Sequence, residues 1–266
     1  MVVDFDGLPF IIAWELTLEC NLRCRHCGSS AGLQRIRELH LDESLAICDQ
    51  FPYLLVQEVD FTGGEPLISP NLLKIAKHLQ KLGILMQVIT NGLTLEPDIV
   101  AKIKDAGIAA VGVSLDGLET THDYIRGYKG LFRRVLTGIE HVHKADIPLT
   151  VLTTVNTLNL KELPSLLEVL LSSEVRRWQI QPIFPLGRGK EDEKLHLTER
   201  NYLRFGSFIQ KWGPEAKEAG LKIELADSYG YFTEFDLREP AWRGCPAGLV
   251  ACGITSDGKI KGCLSL

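Results

Sequence analysis

Six times between Ile11 and Ala219 a short apolar run passes into a stretch with apolar residues at helical spacing, and this alternation narrows the possible folds more than any other feature. The strand candidates are Ile11–Thr17, Glu58–Thr62, Leu85–Thr90, Ala110–Leu115, Leu149–Val155 and Trp178–Ile183. Helices are expected over Asp42–Leu55, Ser69–Leu82, Glu96–Ala106, Leu131–Lys144, Lys161–Ser172 and Thr198–Ala219. Asp42 and Ser69 are suited to open two of these helices, and Gly83 and Gly107 lie just past the ends of two others. Strands separated by helices pair in parallel. The expected class is therefore α/β, with the sheet rolled into a full or partial barrel; an open doubly wound sheet is the alternative.

Both architectures place ligands on the loops that leave the strands. Here those loops carry Cys20, Cys24 and Cys27, then Gly63-Gly64-Glu65-Pro66, then Thr90-Asn91-Gly92, then Ser114-Leu115-Asp116-Gly117. Four polar or glycine-rich loops thus converge on one mouth. Gln179 and Gln181 on the sixth strand are candidates to line the cavity below it.

With 266 residues, 45% of them apolar, and a formal charge of -5, the chain can bury a large core, and nothing in its composition calls for nucleic acid. Met1 to Pro9 holds two aspartates and no basic run, unlike a secretory signal, and no apolar run reaches the roughly 18 residues of a membrane span. A cytoplasmic location is expected.

In a reducing compartment, clustered cysteines favour metal or redox chemistry over disulfides. Cys20-x3-Cys24-x2-Cys27 offers three thiolates on one short loop, enough to wrap one face of an iron–sulfur cubane and leave one iron without a protein ligand. The alternative, zinc, would add a histidine such as His26 or His40. Cys48 falls in a helical apolar pattern and reads as a small buried hydrophobe. Cys245, Cys252 and Cys263 form a second group. An Asp257-Gly258 turn that pairs Ser256 with Lys259 would set Cys252 opposite Cys263, either as ligands on one face or as a disulfide.

The stretch Trp14-Glu-Leu-Thr-Leu-Glu-Cys-Asn-Leu-Arg-Cys-Arg-His-Cys27, followed by Gly63-Gly64-Glu65-Pro66, resembles the signatures of the radical S-adenosylmethionine superfamily. The resemblance implies a partial (β/α)6 TIM-like barrel over residues 1–195, a linking helix and strand over 196–228, and a small C-terminal cysteine-containing β-hairpin module over 229–266. It implies that Cys20, Cys24 and Cys27 hold a [4Fe–4S] cluster and that S-adenosyl-L-methionine is the second cofactor. By the same resemblance His26 lies near the adenine, Gly63, Gly64 and Glu65 receive the methionyl ammonium, and Ser114 and Arg126 meet the methionyl carboxylate. Asn91 and Asp116 would face either the ribose or the substrate, and Gln181 the adenine side of the cavity.

Cys245-x12-Gly258-x4-Cys263 resembles the opening of the SPASM or twitch module, implying an auxiliary iron–sulfur cluster on Cys245, Cys252 and Cys263. That family places further cysteines downstream, whereas this sequence ends three residues after Cys263, so a cut or reduced module is expected. The implied activity is reductive cleavage of S-adenosylmethionine and hydrogen abstraction from a peptide or small-molecule substrate, with ferredoxin or flavodoxin as electron donor. Peptide maturation is the leading reading, although no leader-binding domain precedes residue 10. Heme-type cofactor synthesis and a non-catalytic electron-transfer protein are the alternatives; the latter leaves the Gly63 loop and the Ser114–Arg126 pair unexplained.

Overall fold

The computed structural model describes residues 8–226, 245 and 247–265. The alternating units appear in order as β1 (Ile11–Glu15), α1 (Leu41–Cys48), β2 (Glu58–Thr62), α2 (Leu72–Lys81), β3 (Leu85–Thr90), α3 (Pro97–Asp105) and β4 (Ala110–Ser114). They continue through α4 (Glu119–Arg126), α5 (Leu131–Lys144), β5 (Leu149–Val155), α6 (Leu163–Ser172) and β6 (Arg177–Pro182). α7 (Gly187–Glu191), α8 (Glu199–Glu218), β7 (Lys222–Leu225), β8 (Ala251–Ile254) and β9 (Ile260–Lys261) complete the order.

β1 to β7 lie side by side in sequence order and in parallel; β8 joins the free edge of β1, also in parallel, and β9 folds back on β8. Among the described residues the sheet is open, with β7 and β9 at its edges. The boundary expected at residues 228/229 lies outside the described residues. The parts to either side of it, β7 and β8, extend opposite flanks of one sheet.

Strand alternation divides the chemistry between two faces. Trp14, Phe61 and Trp178 point toward the helices and are almost fully buried, Trp14 edge-on to Phe51 and Trp178 edge-on to Phe208 of α8 at 5.9 Å. The other face is partly polar, carrying Glu58, Asp60, Gln87, Thr154, Gln179 and Gln181, and forms the hollow of the partial barrel.

Two helix starts differ from expectation. Asp42 lies within the first turn of α1, whose cap is His40, closed by a capping box with Glu43. Ser69 ends a short 3-10 turn, and α2 opens two residues later after Asn71. The first helix also stops at Cys48 instead of running to Leu55, because Pro52 cannot continue the hydrogen-bond ladder; a separate 3-10 turn, Phe51–Leu54, ends with Leu55 in the left-handed region.

The C-terminal hairpin is shifted by one residue from the expected register. Gly253 pairs with Lys261 and Ile254 with Ile260, and Thr255 N–H donates to Lys259 O at 2.9 Å, so the loop is the three residues Ser256-Asp257-Gly258 with Gly258 at φ +82°. Continued, this register sets Cys252 opposite Gly262, not Cys263. The reason is turn chemistry: a left-handed glycine in third place adds a residue that a two-residue turn lacks. The turn is anchored on β1, where buried Glu15 accepts from Ser256 N–H and Oγ at 3.0 Å and from Arg35 at 2.8 Å.

Candidate functional site

Along the loop after β1 burial alternates, with Leu22, Cys24 and His26 turned inward and Asn21, Arg23 and Arg25 outward; Cys20 and Cys27 are half-buried. Donors from the loop after β3 and from the last turn of α4 face these sulfurs: Asn91 Nδ2 lies 3.9 Å from Cys20 Sγ, and Arg126 Nη1 lies 3.9 Å from Cys24 Sγ. Burial pushes the Cys20 thiol up to about 11 and raises that of Cys24 even beside Arg126. The thiols therefore carry protons that a bound metal would have to displace. Among the described residues no group of three or more His, Cys, Asp or Glu side chains converges on a point fit for a single metal ion. A cubane instead takes each thiolate on a different iron, and so requires a triangle of sulfurs.

Beneath the cysteines lies an ionic knot built on the fully buried Asp116. Asp116 Oδ2 accepts from Arg126 Nε at 2.6 Å and pairs with His26 Nε2 at 3.1 Å, while Oδ1 accepts from Thr154 N–H at 2.8 Å. Burial alone would raise the Asp116 carboxyl, but Arg126 and His26 hold it well below the usual carboxylate range. Arg126 is thus a buried partner of Asp116. His122 accepts from Asp116 N–H through Nδ1 and is pushed down to about 4, chiefly by burial, so it is neutral with its proton on Nε2. His26 Nδ1 is buried and makes no hydrogen bond within the protein.

The Gly63-Gly64-Glu65 loop packs closely on the segment that follows β1. A Cβ on Gly63 would come within 2.4 Å of Thr17 O and one on Gly64 within 2.0 Å of Glu19 O, because the loop is zipped to the segment after β1 by Gly64 N–H to Thr17 O and Glu65 N–H to Glu19 O. The glycines serve first to bring two backbones together. Glu65 is fully buried, and its carboxylate accepts from Thr90 Oγ1, Asn91 N–H and Leu67 N–H, so it ties the second loop to the third. Burial still raises its pKa. Gly64→Ala is expected to cost about 3 kcal/mol, as overpacking against rigid backbone does, measurable as a lower urea midpoint at unchanged slope.

Of the remaining expected residues, Ser114 ends β4 on the hollow side, and Gln181 Nε2 donates to Thr154 Oγ1 at 3.5 Å. Cys252 pairs with Ile12, which places it on the helix-facing side, packed against the core. Cys245 is exposed, Cys263 is half-buried beyond β9, and no disulfide joins Cys252 to Cys263 in this structure. Cys48 is fully buried and pushed up to about 12 by that burial, as a structural cysteine should be. No helix among the described residues is long and apolar enough to cross a membrane.

Sequence reasoning missed two groups at the mouth. Glu15 and Arg35 join β1 to the C-terminal turn, and Arg188, flanked by Gly187 and Gly189, contacts the cysteine loop. A lone arginine between two glycines just past the sixth strand was the available signal.

The family described as the Radical SAM superfamily matches residues 14–170. An AdoMet-dependent heme synthase of Methanosarcina barkeri is 32% identical over 98% of this chain and 78% of its own length. A PqqA peptide cyclase of Rhodopseudomonas palustris is 30% identical over 67% of this chain, but the match spans only 48% of the cyclase. Streptococcus suis SuiB bound to S-adenosylmethionine shares the fold with a TM-score of 0.80 at 15% identity, over 97% of this chain and 61% of SuiB.

Proposed function

Since the chain belongs to the radical SAM superfamily, whose members use a [4Fe–4S] cluster and S-adenosylmethionine, we propose that Cys20, Cys24 and Cys27 hold that cluster and that the mouth above Asp116 binds S-adenosylmethionine. The bound pair supplies reductive cleavage of the sulfonium to a 5′-deoxyadenosyl radical, which takes hydrogen from a substrate. The observation that carries the reading is the donor set around the sulfurs: an amide at Cys20 and a guanidinium at Cys24 both complement anionic, thiolate-bound iron. His26 Nδ1, buried and without a protein partner, suits a polar ligand group in the same mouth.

The protein's own part is positional. Asp116 spends its charge on Arg126 and His26, so it orients those two side chains and is not itself a ligand group. Glu65 likewise braces the glycine loop, leaving backbone and Ser114 hydroxyl to face a ligand. Glu58 and Asp60 give the hollow a negative side, and burial pushes Asp60 up to about 6 with Glu58 adding to the shift.

For the substrate we favour a peptide side chain. A tetrapyrrole with several carboxylates would meet like charge at Glu58 and Asp60, whereas a peptide need not. The second reading, tetrapyrrole processing, rests on the similarity to the heme synthase along nearly the whole chain. The test is anaerobic loading with iron and sulfide, reduction with dithionite, EPR of the reduced protein with and without S-adenosylmethionine, and assay of 5′-deoxyadenosine with peptide or iron-porphyrin added. A shifted EPR signal, deoxyadenosine, and stimulation by peptide are expected. Iron uptake with neither a shift nor deoxyadenosine would end the radical reading, and stimulation by porphyrin alone would replace the peptide one.

A further inference from the structure

On the open side of the sheet, the segment after β6 reaches across to the segment after β1. Gly187 sits at φ +50°, where a Cβ would lie 2.3 Å from Gly28 O and 2.5 Å from Cys27 O; at Gly189 it would lie 3.2 Å from His26 O. Between these contacts Arg188 N–H donates to Cys27 O at 2.9 Å, its Nε to Cys24 O at 2.8 Å and its Nη1 to Ala31 O at 2.7 Å. One residue thus satisfies three carbonyls of a turn that belongs to no helix or strand.

The turn has little support of its own. Its internal bonds, Cys27 N–H to Cys24 O and Ser30 N–H to Cys27 O, are long at 3.5 and 3.4 Å, and Ser30 takes a left-handed φ of +51°. Its shape is therefore imposed from outside. The clamp is anchored in turn: His196 Nε2 meets Gly189 O at 2.6 Å, and Thr157 N–H donates to Leu195 O at 3.2 Å. A continuous run of contacts joins the exit of β5 to the cysteines, across a gap that the sheet itself leaves open.

We propose that Arg188 is a positioning residue that latches the two flanks of the open barrel at its mouth, shapes the cysteine turn before metal arrives, and makes the cluster held there easier to reduce. The last part rests on the cluster reading above. A guanidinium fork spans two carbonyls that a lysine ammonium, as a point charge, cannot hold together. Positive charge and hydrogen bonding near a cluster favour its more negative, reduced state.

Two variants of the full chain, Arg188→Ala and Arg188→Lys, test this. In metal-free protein, hydrogen exchange at Arg25 and Gly32, whose amides donate to Ile125 O and Leu18 O, is expected to quicken about tenfold or more in both, with β3 to β5 unchanged. After loading with iron and sulfide, EPR-monitored redox titration is expected to show a lower midpoint potential for Arg188→Ala, with Arg188→Lys nearer wild type. Unchanged exchange, or faster exchange spread through β3 to β5, would overturn the latch; an unchanged potential in Arg188→Ala would overturn the link to the cluster. If wild-type protein takes up no iron, the cluster reading fails and the exchange result still decides the latch.

Discussion

Cys24→Ala is expected to bring 5′-deoxyadenosine formation to background and to lower iron per chain, while Cys48→Ala changes neither. The contrast follows from where the two buried thiols sit. Cys24 faces the Arg126 guanidinium at 3.9 Å and shares its loop with Cys20 and Cys27. Cys48 packs in the core at the end of α1. With three thiolates available on that loop, losing one leaves a cubane held at two corners, and no other cysteine lies on it. Truncating Cys48 removes one buried sulfur and costs about 1 kcal/mol of stability, visible in urea unfolding but not in activity. Cys263→Ala is expected to retain part of the activity. Iron counting and product assay on the three variants separate these roles; equal loss in all three would mean that the cysteines serve the fold.

Asp116→Asn is expected to destabilise the metal-free protein by about 3–5 kcal/mol, because it leaves the buried Arg126 guanidinium without its counter-charge. Urea unfolding measures this, and a loss below about 1 kcal/mol would show the knot to be dispensable. The same carboxylate predicts acid sensitivity. Its pKa is held far below the unfolded value of roughly 4, so the stability it confers is present in full above that value and drains away as pH falls below it. Wild-type stability should therefore drop steeply in acid, and that of Asp116→Asn more gently. Parallel pH profiles for the two would contradict the assignment.

Much of the frame was legible from residue order. β2, β3, β5 and α5 coincide with their expected spans, since period-2 and period-3.6 patterns report which side of a strand or helix meets the core. The cysteine, glycine and Ser114–Asp116 loops do follow their strands on one side of the sheet. The hairpin register was less legible, because Asp257-Gly258 suits a two-residue turn as well as the three-residue loop that forms. The protein partners of Glu65 and Asp116 were not legible: both side chains are fully buried, Glu65 accepting from Asn91 N–H and Asp116 from Arg126, groups that other elements supply.

What the sequence determined by itself was local: strand and helix periodicity, the residues that follow each strand, and three cysteines spaced for one loop. These depend on neighbours within a few positions, so residue order suffices to read them. The tertiary structure decided which polar side chains brace the site and which remain for a ligand. Glu65 meets Asn91 across 26 positions and Arg188 meets Cys24 across 164. A buried charge takes its role from whatever partner packing brings within hydrogen-bond reach, and that partner is set by how the sheet curls, not by position along the chain.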